Sequence, residues 1–318
     1  MTQRADLSGK LVTVLGGSGF VGTRLAQVLL TRGARLRVVC RSTETAGRIK
    51  PLGNLGQVQL ARCDITDTDR LAQALAGSQA VVNLVGAFTG DLDAVQGSGA
   101  GRVAALAREA GATALVHVSA IGADPEGTTA YARSKAAGEA AVLSAFPQAS
   151  VLRPSVLFGP DDQFLNMFGG LIAAFPVMPV FAPDAALQPL FVDDLAAGIA
   201  NALADPGTHG GKTFELGGPE VISVLDLNRR IATAAERNVA FLELPDAVSG
   251  LFATLTGWLP GAPLTRQQWL LLRAGNTASP DLPGMTALGV DPRPLGLFLD
   301  RWMVRFRKHG RFEDRLAG

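Results

Sequence analysis

The short apolar run Leu11–Leu15 empties into Gly16-Gly17-Ser18-Gly19-Phe20-Val21-Gly22, and few folds accommodate such a junction. Glycine permits a tight turn and lets a backbone approach a bulky anion, while the helix that follows offers free N–H groups and the positive end of its dipole. The last glycine lets helix and strand pack closely. Phe20–Thr31 continues with apolar residues at helical spacing (Val21, Leu25, Val28, Leu29), and Gly33 supplies a stop. Strand, glycine turn and helix in that order are the context that gives the pattern meaning. Dinucleotide binding at Gly16, Ser18, Gly19, Phe20, Val21 and Gly22 is therefore expected.

The same rhythm recurs downstream. Leu36–Cys40, Val58–Ala61, Ala80–Val85, Ala114–Ser119 and Ser150–Leu152 read as short buried strands, separated by helical stretches such as Asp69–Leu75 and Gly99–Ala110. Alternating strands and helices imply βαβ units and a parallel sheet covered on both faces. Past about residue 160 the regularity fails, Pro and Gly become dense, and helices are expected to dominate from Val224 onward. The expected fold is α/β: a Rossmann-type doubly wound parallel sheet with a smaller, mostly helical C-terminal region. Residues 1–160 form the nucleotide domain in this reading, and 161–318 form an interleaved substrate or partner region. Leu190–Val192 and Thr213–Leu216, parts of 187–219, are expected to return to the sheet.

Composition excludes several classes. With 29 Lys and Arg against 28 Asp and Glu, the net charge of +1 gives no field for nucleic acid. Two cysteines and three histidines, the latter at 117, 209 and 309, offer no metal-ligand spacing, so no metal is expected. The first ten residues lack the apolar core of a secretory signal, so an unsecreted chain with reduced cysteines is expected. Gln163–Pro183 and Ala247–Thr265 lack charge but carry several prolines, so neither is expected to span a membrane.

Two further features point to chemistry. A site for NAD(H) usually places a carboxylate at the end of the second strand to bind the ribose 2′-hydroxyl. Here that position holds Arg41, followed by Ser42. A guanidinium fork suits a 2′-phosphate, so NADP(H) is expected in preference to NAD(H). Tyr131, the only tyrosine, stands four residues before Lys135. On a helix that spacing puts both side chains on one face. An ammonium beside a phenol lowers its pKa and makes it a usable acid or base.

With Tyr131-Ala-Arg-Ser-Lys135 added to the glycine turn, the chain resembles the short-chain dehydrogenase/reductase superfamily, of extended or atypical type. Asp64-Ile65 after the third strand, Asn83-Leu84-Val85-Gly86 after the fourth and Arg153-Pro154 after the sixth support this. More narrowly, it resembles the NAD(P)H-binding accessory subunits of respiratory complex I and their bacterial relatives. That likeness rests on Leu52–Gln57, His117–Gly122, Lys135–Glu139, Ala145–Pro147, Leu152–Pro160, Phe164–Asn166 and Trp302–Arg307. The resemblance implies nucleotide contacts from Asp64, Ile65, Leu84, Val85, Gly86, Tyr131, Lys135 and Pro154, beside Arg41 and Ser42. Tyr131, Lys135 and Ser119 form the implied catalytic set. Active extended members usually carry a run of Ser or Thr here, whereas Ser119 is followed by Ala120.

The resemblance further implies a peripheral protein on the cytoplasmic face of the inner membrane, beside complex I subunits near the membrane interface, supporting assembly or stability without turnover. Leu251–Leu259, Trp269–Arg273 and Arg301–Lys308 combine basic and large apolar residues, which suits a partner groove or lipid headgroups as well as ordinary helix packing. The alternatives are an active NADP-dependent reductase or sugar-nucleotide epimerase/dehydratase using Tyr131 and Lys135, and a redox-sensing regulator.

Overall fold

The computed structural model describes residues 7–250 and 266–310. Its chain forms two compact units. The first comprises residues 1–154, 192–216 and 278–291, and the second residues 155–191, 217–277 and 292–318.

The first unit is built on seven strands. They are β1 (Leu11–Leu15), β2 (Arg35–Cys40), β3 (Val58–Arg62), β4 (Ala80–Asn83), β5 (Ala114–Val118), β6 (Ser150–Pro154) and β7 (Thr213–Leu216). Their order is β7-β6-β5-β4-β1-β2-β3, and every pairing is parallel. Chain direction across the sheet reverses between β1 and β4, which is where ligands bind in open parallel sheets. The central strands are largely apolar because both faces are covered; all four residues of β4 are buried.

One face packs against α2 (Thr68–Leu75), α3 (Ser98–Glu109) and α4 (Ala130–Ala145), around Leu15, Val39, Leu71, Val81, Val103, Leu115 and Val142. The first unit also holds α1 (Phe20–Thr31) and α6 (Val192–Ala204), which pack against each other. Local chemistry sets the boundaries. The Asp67 carboxylate accepts from the Arg70 N–H at the start of α2. Thr129 Oγ1 accepts from the Ala132 N–H at 3.1 Å and fixes the start of α4. Gly33 sits at φ +78° and ends the turn after α1.

Among the described residues the second unit contains three two-stranded sheets and the helices α5 (Phe164–Ala174), α7 (Val224–Ala234), α8 (Arg266–Arg273) and α9 (Gly296–Met303). Leu190–Val192 does not join the main sheet as expected: Leu190–Phe191 pairs with Leu157–Phe158, and Val192 opens α6. A two-residue apolar run carries no information about which edge it meets. Thr213–Leu216 does join, on β6. The uncharged stretch 163–183 divides into α5 and the strand Val177–Phe181. Among the described residues no helix is long and apolar enough to cross a membrane. Most of 247–265 and all of Leu251–Leu259 lie outside the described residues.

Of the amphipathic segments, Arg301–Lys308 packs its apolar residues on its own unit and leaves Arg301, Arg305 and Lys308 exposed. Phe306 lies against Gly169, Trp302 stacks on Phe298 at 4.9 Å, and Met303 is buried. Arg305 donates to the Pro160 carbonyl and the Asn166 side chain, and Arg307 pairs with Glu236 at 2.8 Å. In α8, Trp269 is buried and Arg273 lies over its ring while pairing with Asp246. The alternation of basic and apolar residues here is that of a segment packed on its own fold.

Candidate functional site

The glycine turn follows β1 at the switch point. Gly16 has φ +73°, and a Cβ there would stand 3.2 Å from the Leu84 carbonyl carbon, so the ends of β1 and β4 nearly touch. A Cβ on Gly22 would collide with the Gly17 backbone. No side chain can occupy that position without displacing the turn. Gly19 caps α1 with no side-chain hydrogen bond, and no acidic residue stands in the first turn. The N–H groups of Phe20, Val21 and Gly22 thus begin a helix with no side-chain cap and no acidic residue in its own first turn to offset its dipole.

At the ends of β2 and β3 stand Arg41 and Ser42, both exposed, and Asp64-Ile65. Asp64 Oδ1 accepts from the Thr66 N–H at 3.0 Å and its hydroxyl at 2.7 Å. These bonds hold its carboxyl below the usual range, with a smaller contribution from Arg41. Arg48, which sequence reasoning missed, donates to the Ser18 carbonyl at 2.7 Å. The sequence carries no pattern around Arg48; only the fold brings it to the turn.

On the other side, Asn83 at the end of β4 accepts from the Val85 N–H and orients the Leu84–Gly86 segment. A Cβ on Gly86 would lie 3.3 Å from Lys135 Nζ, so this glycine makes room for the lysine. Lys135 is 4 % exposed and donates to the Val118 carbonyl at 3.4 Å. Ser119 follows directly; its hydroxyl is buried with no hydrogen-bond partner among the described residues. Pro154 ends β6, and its carbonyl accepts from the Ile121 N–H. Gly16, Leu84, Val85, Gly86 and Lys135 are therefore contiguous. Arg41, Ser42, Asp64 and Ile65 gather at the neighbouring strand ends, and Ser119 and Pro154 at the ends of β5 and β6.

The Tyr131–Lys135 pair is on one helix face, with Nζ 5.8 Å from the ring centroid. The expected lowering of the phenol pKa does not follow in the protein alone. Burial pushes Tyr131 up to about 12, and the same cause brings Lys135 down to about 8. Desolvation of the buried ring outweighs whatever the neighbouring ammonium offers. Phe88, also unforeseen, stacks on Tyr131 at 4.7 Å and 13° while remaining 57 % exposed.

Behind the site, Arg153 joins Glu139 of α4 to Glu215 of β7. It makes a two-pronged pair with Glu139 at 2.9 and 2.6 Å and reaches Glu215 at 3.1 Å. Glu215 also accepts from the Ser279 N–H at 2.9 Å. Glu139 and Arg153, which the sequence offers only as parts of Lys135–Glu139 and Arg153-Pro154, are thus joined in one ion-paired cluster.

Comparison with known proteins gives the family. The profile of the NAD dependent epimerase/dehydratase family matches residues 12–217. The chain is 32 % identical, over 92 % of its length and 80 % of the relative's, to NADH dehydrogenase (ubiquinone) 1 alpha subcomplex subunit 9, mitochondrial, of Mus musculus. It is 31 % identical to the ceramide reductase of Caulobacter vibrioides over 59 % of each chain. In fold it resembles the Citrobacter sp. triphenylmethane reductase complexed with NADP(H), with a TM-score of 0.74 at 19 % identity, covering 92 % of this chain and 99 % of that one. The seven-stranded parallel sheet, the glycine turn at its switch point and the match over residues 12–217 establish that the chain belongs to the NAD dependent epimerase/dehydratase family, whose members bind NAD(P).

Proposed function

We propose that this chain is an NADP(H)-binding accessory subunit, or assembly and stability factor, of a respiratory NADH:quinone oxidoreductase, and that it holds its nucleotide without turnover. The observation that carries the reading is the similarity to the mouse complex I subunit along 92 % of the chain, well beyond the family's shared nucleotide region. The nucleotide part is supported by the glycine cradle, which a Cβ would fill, and by the unsatisfied Ser119 hydroxyl. Gly16, Ser18, Gly19, Phe20, Val21 and Gly22 would hold the pyrophosphate. Arg41, Ser42, Asp64 and Ile65 would take the adenosine half, and Leu84, Val85, Gly86, Tyr131, Lys135 and Pro154 the nicotinamide half. When bound, the nicotinamide supplies a hydride donor or acceptor. Absence of turnover is supported by Ala120 after Ser119, by the high phenol pKa and by the Phe88 ring over Tyr131.

The experiment is capture of the tagged chain from mildly solubilised membranes, with partners identified by mass spectrometry. Stoichiometric complex I subunits are expected, with the chain peripheral on the cytoplasmic face. Recovery of the chain alone would remove the accessory role. It would favour the second reading, an NADP-dependent reductase with Tyr131 as proton donor, which is supported by Tyr131 and Lys135 and by the likeness to a ceramide reductase. NADPH consumption with a carbonyl substrate, abolished by Tyr131→Phe, would then be expected.

Preference for NADP(H) is tested separately. Arg41, with Arg48 beside the turn, offers charge-assisted bonds to a 2′-phosphate of about 1.5–3 kcal/mol. Arg41→Ala should therefore weaken NADPH at least tenfold and NADH less than twofold, measured by calorimetric titration. Equal losses for both nucleotides would refute the phosphate role.

A further inference from the structure

We propose that Gln96 is a positioning residue that locks the Leu84–Ala87 segment onto the helix carrying Tyr131 and Lys135, and so sets affinity for the nicotinamide half of the nucleotide. The inference rests on the nucleotide-binding reading above. Gln96 ends the short helix Leu92–Gln96, is fully buried, and belongs to none of the motifs in the sequence.

Its carboxamide uses both ends. Oε1 accepts from the Ala87 N–H at 3.1 Å, and Nε2 donates to Ser134 Oγ at 2.8 Å. Ser134 in turn donates to the Tyr131 carbonyl at 3.0 Å. The Gly86 α-carbon lies between two groups: a Cβ built there would stand 3.3 Å from Lys135 Nζ and 3.6 Å from Gln96 Oε1. The Gln96 backbone carbonyl fills the space a side chain on Gly138 would need, so the same residue packs α4 from a second direction. One amide therefore spans the loop after β4 and the first turns of α4. The loop cannot move away from Lys135 without leaving a buried amide unpaired, which is unfavourable in a dry interior. Only a side chain with an acceptor on one branch and a donor on the other satisfies Ala87 and Ser134 together; leucine has the shape and neither function.

Among the described residues the amide bonds to Ala87 and Ser134 and not to the glycine turn or Arg41, so the effect should divide the ligand in two. The full-length protein, stripped of nucleotide, is titrated calorimetrically with NADPH and with adenosine 2′,5′-bisphosphate, which lacks the nicotinamide half. Gln96→Leu is expected to weaken NADPH about tenfold or more while leaving the bisphosphate within twofold. Ser134→Ala cuts only one branch and guards against a folding failure of the first variant; it should weaken NADPH three- to tenfold and spare the bisphosphate. A loss shared equally by both probes, or none, in soluble folded variants would reduce Gln96 to a packing residue and overturn the inference alone. Failure of the wild-type chain to bind either probe would overturn the nucleotide reading and this inference with it.

Discussion

Arg153→Ala should cost this protein about 3–5 kcal/mol of stability, the loss expected when one partner of a buried ion pair is removed. The side chains of Glu139 and Glu215 are 8 % and 10 % exposed, and Arg153 is 22 % exposed. Removing the guanidinium leaves two carboxylates buried in one region, facing each other's charge with only the Ser279 N–H still bonded to one of them. The arrangement also raises the Arg153 pKa, first through its hydrogen bond to Glu139. Because Glu139 is one helical turn from Lys135 and helps keep that lysine charged, nucleotide affinity should fall together with stability. Urea denaturation of Arg153→Ala checks the first part. A triple variant, Arg153→Met with Glu139→Gln and Glu215→Gln, should recover much of the loss, since no charge is then left unpaired. A stability change below about 1 kcal/mol in Arg153→Ala would mean that water reaches the triad and screens it.

The second large effect is on the acid side of the stability curve. His117 on β5 is fully buried beside Asn83 of β4, its Nδ1 3.3 Å from the Asn83 amide nitrogen. That amide donates, so Nδ1 accepts and Nε2 carries the proton, with no partner among the described residues. Burial, with Lys135 adding a like charge, brings the imidazole pKa down from 6.5 to about 3. Between those values the unfolded chain binds a proton that the folded chain refuses, so folding stability falls as pH falls through this window. The loss amounts to about 2 kcal/mol at pH 5 and about 4 near pH 3. His209, half-buried with its pKa also lowered by burial, adds in the same direction. His117→Gln keeps an acceptor for Asn83 and does not titrate, so its denaturation midpoint should change much less than that of the natural chain between pH 6.5 and 5. Carboxylates contribute little in that range. Parallel curves for the two proteins would show that His117 is charged in the fold.

The local features of this protein were legible in its residues. β1, the glycine turn and α1 follow from an apolar run, glycines and a helical repeat within 21 residues. Strand existence followed from runs too short and too apolar to be anything but buried, which is why β1 to β6 stand where the sequence puts them within one or two residues. Tyr131 and Lys135 share a helix face because helical geometry alone puts them there. Arg41 at the end of β2 could be singled out because the position relative to the turn is fixed by one βαβ unit.

What the tertiary structure decided involves residues that approach each other only after long loops close. Arg153 meets Glu215 across 62 positions, and Arg48 meets the turn across 30. Gln96 reaches Ser134 across 38, and no spacing rule links residues so far apart. The pKa of Tyr131 moved opposite to the sequence argument because spacing shows the neighbouring ammonium but not the desolvation, which is set by everything packed around the ring. The apolar side of segment 301–308 packs on its own unit, a choice the sequence left open, since a pattern states that one face is apolar without naming what covers it. Periodicity and turn chemistry are properties of a short stretch of chain and survive in any context; burial, charge pairing and proton affinity belong to the assembled fold, and there the choice among chemically equal readings was made.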